Sequence, residues 1–337
     1  MPRIAIVTPA RGGTRTGNRH TAQRWAAFLR GPGTRVSVAT DWDGASADVL
    51  IALHARRSHD SVLRWRAQDP RAPLVVVLTG TDLYRDLPGS SEARRSLELA
   101  DRLIVLQEQA PLALDKKLRA KTRVVYQSSD TRRRAAPPRA PFRVAVVGHL
   151  REEKDPFRAA LALQHLPGSV EVVQIGGALQ EGCGEEAARL AAADPRYRWL
   201  GSQPHPRALG WIARSHLLVV SSRMEGGANV ICEAARIGTP VLASRVPGNL
   251  GMLGARYPGY FPLGDERALA RLIECAAADR RFYHRLARAL QARRARFAPA
   301  AERRALHAVV REALALIPQA ARSSAASSPR SRASPGT

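Results

Sequence analysis

Residues Ser221 to Pro240 read SSRMEGGANVICEAARIGTP and follow the apolar run Leu217 to Val220. A short aliphatic run that ends in a polar turn predicts a buried strand. Glu225-Gly226-Gly227-Ala228-Asn229 then opens a helix that Gly238 and Pro240 close. Gly226 and Gly227 carry no Cβ, so a ligand can approach the backbone there. The first N–H groups of the helix that follows favour a phosphate. Glu233 sits one turn into the same helix, and its carboxylate can accept two hydroxyl hydrogen bonds of the kind a ribose offers.

Working outward from this stretch, the same strand–turn–helix unit recurs along the chain. Strands are expected at Arg3 to Thr8, Arg35 to Thr40, Val49 to His54, Leu74 to Thr79, Arg102 to Gln107 and Arg123 to Tyr126, then at Phe142 to Val147, Val170 to Ile175, Arg198 to Leu200, Leu217 to Val220, Val241 to Ala243 and Tyr260 to Phe261. Between them lie helical patterns; Ala22, Trp25, Ala26 and Leu29 form one apolar stripe that Gly31-Pro32 stops. Others are expected around Pro156 to Leu166, Glu185 to Ala193, Pro206 to Ser215, Asn229 to Ile237 and Glu266 to Ala278, and the periodicity of Phe282 to Leu316 is helical as well. Alternation of this kind predicts α/β architecture with doubly wound parallel sheets. The segment from Thr131 to Pro141, rich in Arg, Ala and Pro, reads as a linker. Two Rossmann-like domains follow, residues 1–130 and 142–317, with residues 318–337 expected to be disordered and the ligand site expected between the two domains.

The turn after the first strand of the second domain, Val147-Gly148-His149-Leu150-Arg151-Glu152-Glu153-Lys154-Asp155-Pro156, belongs to the same edge of the sheet as Glu225. Lys154 is the last lysine of the chain; the others are Lys116, Lys117 and Lys121. A compact ammonium on a flexible stem suits a diphosphate in a way that arginine's planar fork does not reproduce. The two turns together, with Glu225 and Glu233 separated by seven residues and Gly238-Thr239-Pro240-Val241 behind them, resemble the retaining nucleotide-sugar glycosyltransferases of family four, whose fold is GT-B. That resemblance implies a donor site made of Gly148, His149, Arg151, Lys154, Glu225, Gly226, Gly227, Ala228, Asn229 and Glu233. It gives Lys154, Arg151 and Glu225 the catalytic roles. His149 stands where the family usually has arginine, so the partner of Lys154 on the diphosphate is either His149 or Arg151.

In the first domain, Thr8-Pro9-Ala10-Arg11-Gly12-Gly13-Thr14-Arg15-Thr16-Gly17-Asn18-Arg19-His20 is a glycine-rich turn crowded with cations. Together with Ala52-Leu53-His54-Ala55, Leu78-Thr79-Gly80-Thr81-Asp82 and Pro247-Gly248-Asn249 it is similar to the selenosugar synthases of selenoneine biosynthesis, a branch of family four. This implies a UDP-sugar donor, UDP-N-acetylglucosamine, and selenophosphate as acceptor, held by Gly12, Gly13, Thr14, Arg15, Asn18, Arg19, His20 and His54. A selenium anion is nucleophilic at neutral pH, so the chemistry asks for no strong base, and Asp82 reads as a helix cap.

Composition sets the alternatives. The 337 residues carry 53 Lys and Arg against 29 Asp and Glu, a formal charge of +24. Such a charge makes nucleic acid or an anionic membrane worth weighing. Aromatics are only 5% and no base-reading motif is present, which disfavours nucleic acid; arginine scattered over helices reads as solvated surface. A family-four enzyme acting on a carbohydrate or lipid at an anionic membrane is the rival enzyme reading. Cys183, Cys232 and Cys275 are far apart, so neither a metal site nor a disulfide framework is expected, and no cofactor is called for. With no signal-peptide pattern and no apolar run long enough for a span, a soluble cytoplasmic protein is expected.

Overall fold

The computed structural model describes residues 2–9, 17–131 and 135–316. The expected disordered tail, part of the linker, and Gly12, Gly13, Thr14 and Arg15 lie outside them. By internal contacts the described residues divide into two compact units: those of 1–77, 92–103 and 306–316, and those of 78–91 and 104–305.

Twelve strands form two parallel six-stranded sheets. In chain order the first sheet contains β1 (Arg3–Val7), β2 (Arg35–Ala39), β3 (Val49–Leu53), β4 (Leu74–Leu78), β5 (Arg102–Val105) and β6 (Thr122–Val124), arranged β2-β1-β3-β4-β5-β6. β3 and β4 are buried at every position, as strands covered on both faces must be, whereas the edge strand β2 is largely exposed. Helix α1 (Gly17–Leu29) buries the stripe Ala22, Trp25, Ala26 and Leu29 read from the sequence. Helices α2 (His59–Gln68), α3 (Ser91–Leu99) and α4 (Lys116–Ala120) complete this part of the chain.

The second sheet contains β7 (Phe142–Val147), β8 (Val170–Ile175), β9 (Tyr197–Trp199), β10 (Leu217–Val220), β11 (Val241–Ser244) and β12 (Tyr260–Phe261), in the order β12-β11-β10-β7-β8-β9. Val144 and Ala145 of β7 pair in register with Leu217 and Leu218 of β10. Helices α5 (Arg158–Ala162), α6 (Cys183–Ala193), α7 (His205–Ala213), α8 (Asn229–Ile237), α9 (Pro247–Leu253) and α10 (Glu266–Ala278) cover it. Helix α8 ends where the sequence places its stop, with Gly238 in the left-handed conformation.

One helical reading is corrected. The stretch Pro156 to Leu166 is helical only over α5 and a tight 3₁₀ turn, Leu163–His165. Asp155 in the left-handed region and Pro156 after it keep the chain out of the helix until Arg158. The helical periodicity of Phe282 to Leu316 resolves into α11 (Arg280–Gln291), a 3₁₀ turn at Arg294–Phe297 that buries Phe297, and α12 (Pro299–Leu314). Pro299 cannot extend a preceding helix but starts a new one well.

Gly176, just past β8, has a φ of 151°, and a Cβ there would overlap the carbonyl of Gly148. Gly168 has open space around it. Gly176→Ala is therefore expected to cost at least about 2 kcal/mol of unfolding free energy. Gly168→Ala should be close to neutral when both are measured by urea denaturation.

Candidate active site

In the second sheet the chain order reverses between β7 and β10, neighbours whose connections leave toward opposite sides. A crevice opens outside the carboxyl ends of two such strands, and ligands of open α/β sheets bind there. The loops that leave those two ends are the two turns singled out from the sequence.

The loop after β7 is fixed by its backbone. The hydroxyl of Ser221, at the exit of β10, donates to the carbonyls of Lys154 (3.1 Å) and Asp155 (2.7 Å). The N–H of Arg223 donates to the carbonyl of Glu153 at 2.9 Å. Arg158 clamps Asp155 through two hydrogen bonds and reaches Glu266 at 2.5 Å. From this anchored loop the Lys154 ammonium meets Glu225 Oε1 at 2.5 Å, and Ser222 Oγ donates to the same oxygen at 2.6 Å. Glu225 is buried while Lys154 keeps a quarter of its side chain exposed. An ion pair of this kind persists only where both charges are well satisfied.

The glycines around Glu225 answer to the chain itself. A Cβ on Gly226 would overlap the Thr79 carbonyl, one on Gly227 would lie 2.6 Å from Leu106 Cβ, and one on Gly248 would overlap Glu225. The room that the sequence reading left for a ligand at Gly226 and Gly227 is thus filled by backbone and Leu106. Helix α8 starts after Ala228, at Asn229, without a side-chain cap.

Glu233 lies on α8, mostly buried, and bonds His205 Nε2 at 2.8 Å; His205, at the start of α7, is half exposed. Arg151 is exposed, with Nε 3.9 Å from Glu153, and His149 sits against Gly177. Glu153 also receives Arg85 at 2.7 Å. Burial alone would raise the Glu153 carboxyl, but its own backbone N–H, Arg151 and Arg85 outweigh that and hold it below the usual range. The structure thus brings Lys154, Glu225 and the start of α8 together, and places Glu233 with His205 and Arg151 with Glu153.

In the first sheet the order reverses between β1 and β3. His54 ends β3, buried, with a φ of 73° that is rare for a residue with a side chain. Strain of that kind concentrates at functional positions. Asn18, Arg19 and His20 occupy the first turn of α1, with Arg19 half-buried and His20 exposed. Asp82 is a structural cap: its buried Oδ1 accepts the N–H groups of Thr79, Gly80 and Leu83.

Residues 127–293 match the family model described as Glycosyl transferases group 1. That stretch is 167 of the 337 residues, just under half of the chain. Every donor-site residue read from the sequence, from Gly148 to Glu233, falls within it. No curated protein sequence matches the chain. Among solved structures, HepE from Anabaena in complex with UDP and glucose superposes with a TM-score of 0.75 at 17% identity, covering 93% of this chain and 100% of that one. Sucrose-phosphate synthase from Thermosynechococcus elongatus gives 0.75 at 18%, covering 94% and 100%. The lipopolysaccharide outer core galactosyltransferase WaaB gives 0.65 at 14%, covering 92% and 99%. At these identities the likeness establishes the fold, which is GT-B.

Several groups bonded to these loops were not singled out in the sequence reading: Ser221, Ser222, Glu153, Arg85 and His205. Two hydroxyls at the mouth of an apolar strand were the available signal for the first pair. Glu153 reads as solvated surface in the sequence, and nothing there ties it to Arg85. Among the described residues no group of three His, Cys, Asp or Glu side chains is placed to hold a metal ion, and no helix is long and apolar enough to cross a membrane.

The depressed Glu153 carboxyl sets a pH signature. A group whose folded pKa is lowered contributes stability above its unfolded pKa and loses it as pH falls through the folded value. With Arg85 44% exposed, the Arg85–Glu153 coupling from a double-mutant cycle should be no more than about 1 kcal/mol at pH 7. It should vanish on the acid side of the ordinary carboxylate range, measured with Arg85→Ala and Glu153→Gln by urea unfolding at both pH values.

Proposed function

We propose that the protein is a selenosugar synthase of the SenB type, transferring the sugar of UDP-N-acetylglucosamine to selenophosphate in selenoneine biosynthesis. The donor half rests on one observation, the Lys154–Glu225 pair at the strand reversal within the stretch that matches the group 1 glycosyltransferase model. A diphosphate arriving there offers Lys154 a second anion and meets the uncapped start of α8. Glu225 and the backbone of Gly227 to Asn229 then face the donor sugar, and Glu233 accepts the ribose hydroxyls. HepE, a fold neighbour, has been crystallised with UDP and with UDP-glucose, which supports a uridine donor for this fold.

The acceptor half rests on the sequence resemblance and on the cationic start of α1. Selenium forms the C1–Se bond with its lone pair while the C1–O bond to the diphosphate breaks and its electron pair leaves on UDP. Water then cleaves the Se–P bond, giving the selenosugar and inorganic phosphate. Lys154, with Arg151 or His149, neutralises charge that grows on the departing diphosphate. The decisive experiment is anaerobic incubation with UDP-N-acetylglucosamine and selenophosphate, with mass spectrometry for a product bearing the selenium isotope pattern. Transfer to a neutral sugar or to a lipid in anionic vesicles, with selenophosphate unused, would replace this reading by the general family-four one.

Glu233→Ala should weaken UDP binding by about 1.5–3 kcal/mol in calorimetry, the worth of a hydrogen bond to a charged group, with the fold retained. Lys154→Ala should lower kcat more than it lowers UDP affinity, because the lysine acts on charge that develops in the transition state. A wild-type turnover number in that variant would move the diphosphate role to Arg151 or His149.

A further inference from the structure

We propose that His205 is a positioning residue for Glu233 and, through it, sets how strongly the donor site prefers a ribonucleotide to its 2′-deoxy analogue. This rests on the donor-site reading above, in which Glu233 accepts the ribose hydroxyls. His205 Nε2 stands 2.8 Å from Glu233 Oε1. A carboxylate oxygen has no hydrogen to give, so Nε2 carries the proton and donates, whether the ring is neutral or charged.

The fold brings the two side chains together from 28 residues apart. Helix α7 leads into β10 and α8 follows it, and the two helices pack against each other. Thr239, just past α8, donates from its hydroxyl to the Ile212 carbonyl near the end of α7 at 2.9 Å. With the far ends tied, His205 at the first position of α7 meets Glu233 one turn into α8. Pro204 and Pro206 flank the histidine and fix φ on either side of it. The Pro204 carbonyl accepts from the N–H groups of Arg207 (2.9 Å) and Ala208 (3.1 Å). The imidazole therefore stands on stiff backbone although half of the side chain meets solvent.

The bond divides the work of the Glu233 carboxylate. Among the described residues only Oε1 takes a hydrogen bond from the protein, which leaves Oε2 and the second lone pair of Oε1 for a ligand. A glutamate held at neither oxygen spreads over several rotamers, and the loss of that freedom opposes binding. Held through Oε1, the carboxylate keeps one orientation before the nucleotide arrives. Two neighbouring hydroxyls of a ribose can then meet its oxygens without reordering. When the 2′-hydroxyl is missing, a fixed carboxylate cannot turn to find another partner, whereas a mobile one can. A site built to hydrogen-bond a hydroxyl discriminates against the analogue that lacks it, and His205 sharpens that discrimination.

The test is calorimetric titration of the whole chain with UDP and with 2′-deoxy-UDP, with no acceptor present. Wild type should prefer UDP, and Glu233→Ala should lose the preference. His205→Ala should weaken UDP about fivefold, the upper end of what a half-exposed pair contributes, and leave 2′-deoxy-UDP almost unchanged. That unchanged affinity also shows that the variant is folded. His205→Gln, whose amide N–H can stand in for Nε2–H, should restore the wild-type ratio. A wild-type ratio in His205→Ala, with the preference lost in Glu233→Ala, overturns the positioning role and leaves Glu233 on the ribose. Equal weakening of both nucleotides by His205→Ala overturns it too, because a residue that only shapes the pocket acts on both. A wild-type ratio in Glu233→Ala, or no preference in wild type, removes Glu233 from the ribose and takes the proposal with it. Each of these outcomes is read without an acceptor and holds whatever the acceptor proves to be.

Discussion

The second unit is organised around a carboxylate that is mostly removed from water, that of Glu225. Glu225 accepts from both Lys154 and Ser222, and each of those donors is held by further structure. Ser221 grips the carbonyls on either side of the Lys154–Asp155 bond, and Ser244 Oγ donates to the Ser222 carbonyl at 2.5 Å. Asn249 in turn donates to Ser244 from the start of α9. A buried ion pair deprived of one partner is strongly destabilising, so the surrounding loops are not free to vary independently. On the proposed donor-site reading, a ligand would re-partner charges already in place.

The glycines around that carboxylate obey a steric constraint. Thr79 and Gly80 pass directly over Gly226, Leu106 covers Gly227, and Gly248 fits under Glu225 itself. The sequence displays this only as a motif. A glycine pair in a strand-to-helix turn carries no mark that tells a phosphate from a peptide, and the atoms that occupy the space come from positions more than a hundred residues away. Periodic features fared otherwise. Phe142 to Val147, Val170 to Ile175 and Leu217 to Val220 appear as strands with the bounds their apolar runs suggest, because burial on both faces leaves no other register. Polar pairs such as Arg85–Glu153 and His205–Glu233 were illegible because neither member has a local pattern, and their pairing exists only once the sheet is assembled.

The arginine surplus is partly internal. Arg66 donates to the Leu99 and Ala72 carbonyls and to Asp101. Arg196 reaches the carbonyls of Leu163, Leu166 and Pro167, and Arg293 those of Gly251 and Met252. Arg143, Arg198 and Arg214 surround the single indole of Trp211 at 5.0–5.8 Å. Each guanidinium supplies several fixed donors, so one side chain can close several open carbonyls at the ends of elements. The charge that makes the composition look like a polyanion binder is in these places the by-product of finishing loops and helix ends.

Residues 306–316 belong to the first unit, where Arg102 donates to Glu312 at 2.9 Å and His307 bonds the Phe28 carbonyl at 3.0 Å. The first unit is therefore discontinuous in sequence, begun by the earliest residues and finished by the last helix. On a ribosome its sheet can assemble early, but Arg102 and Phe28 must wait for partners made 210 and 279 residues later. A fragment cut at the linker would leave that seam open. The part of the molecule that looks most separable in the sequence is the one that cannot be completed before α12 has been made.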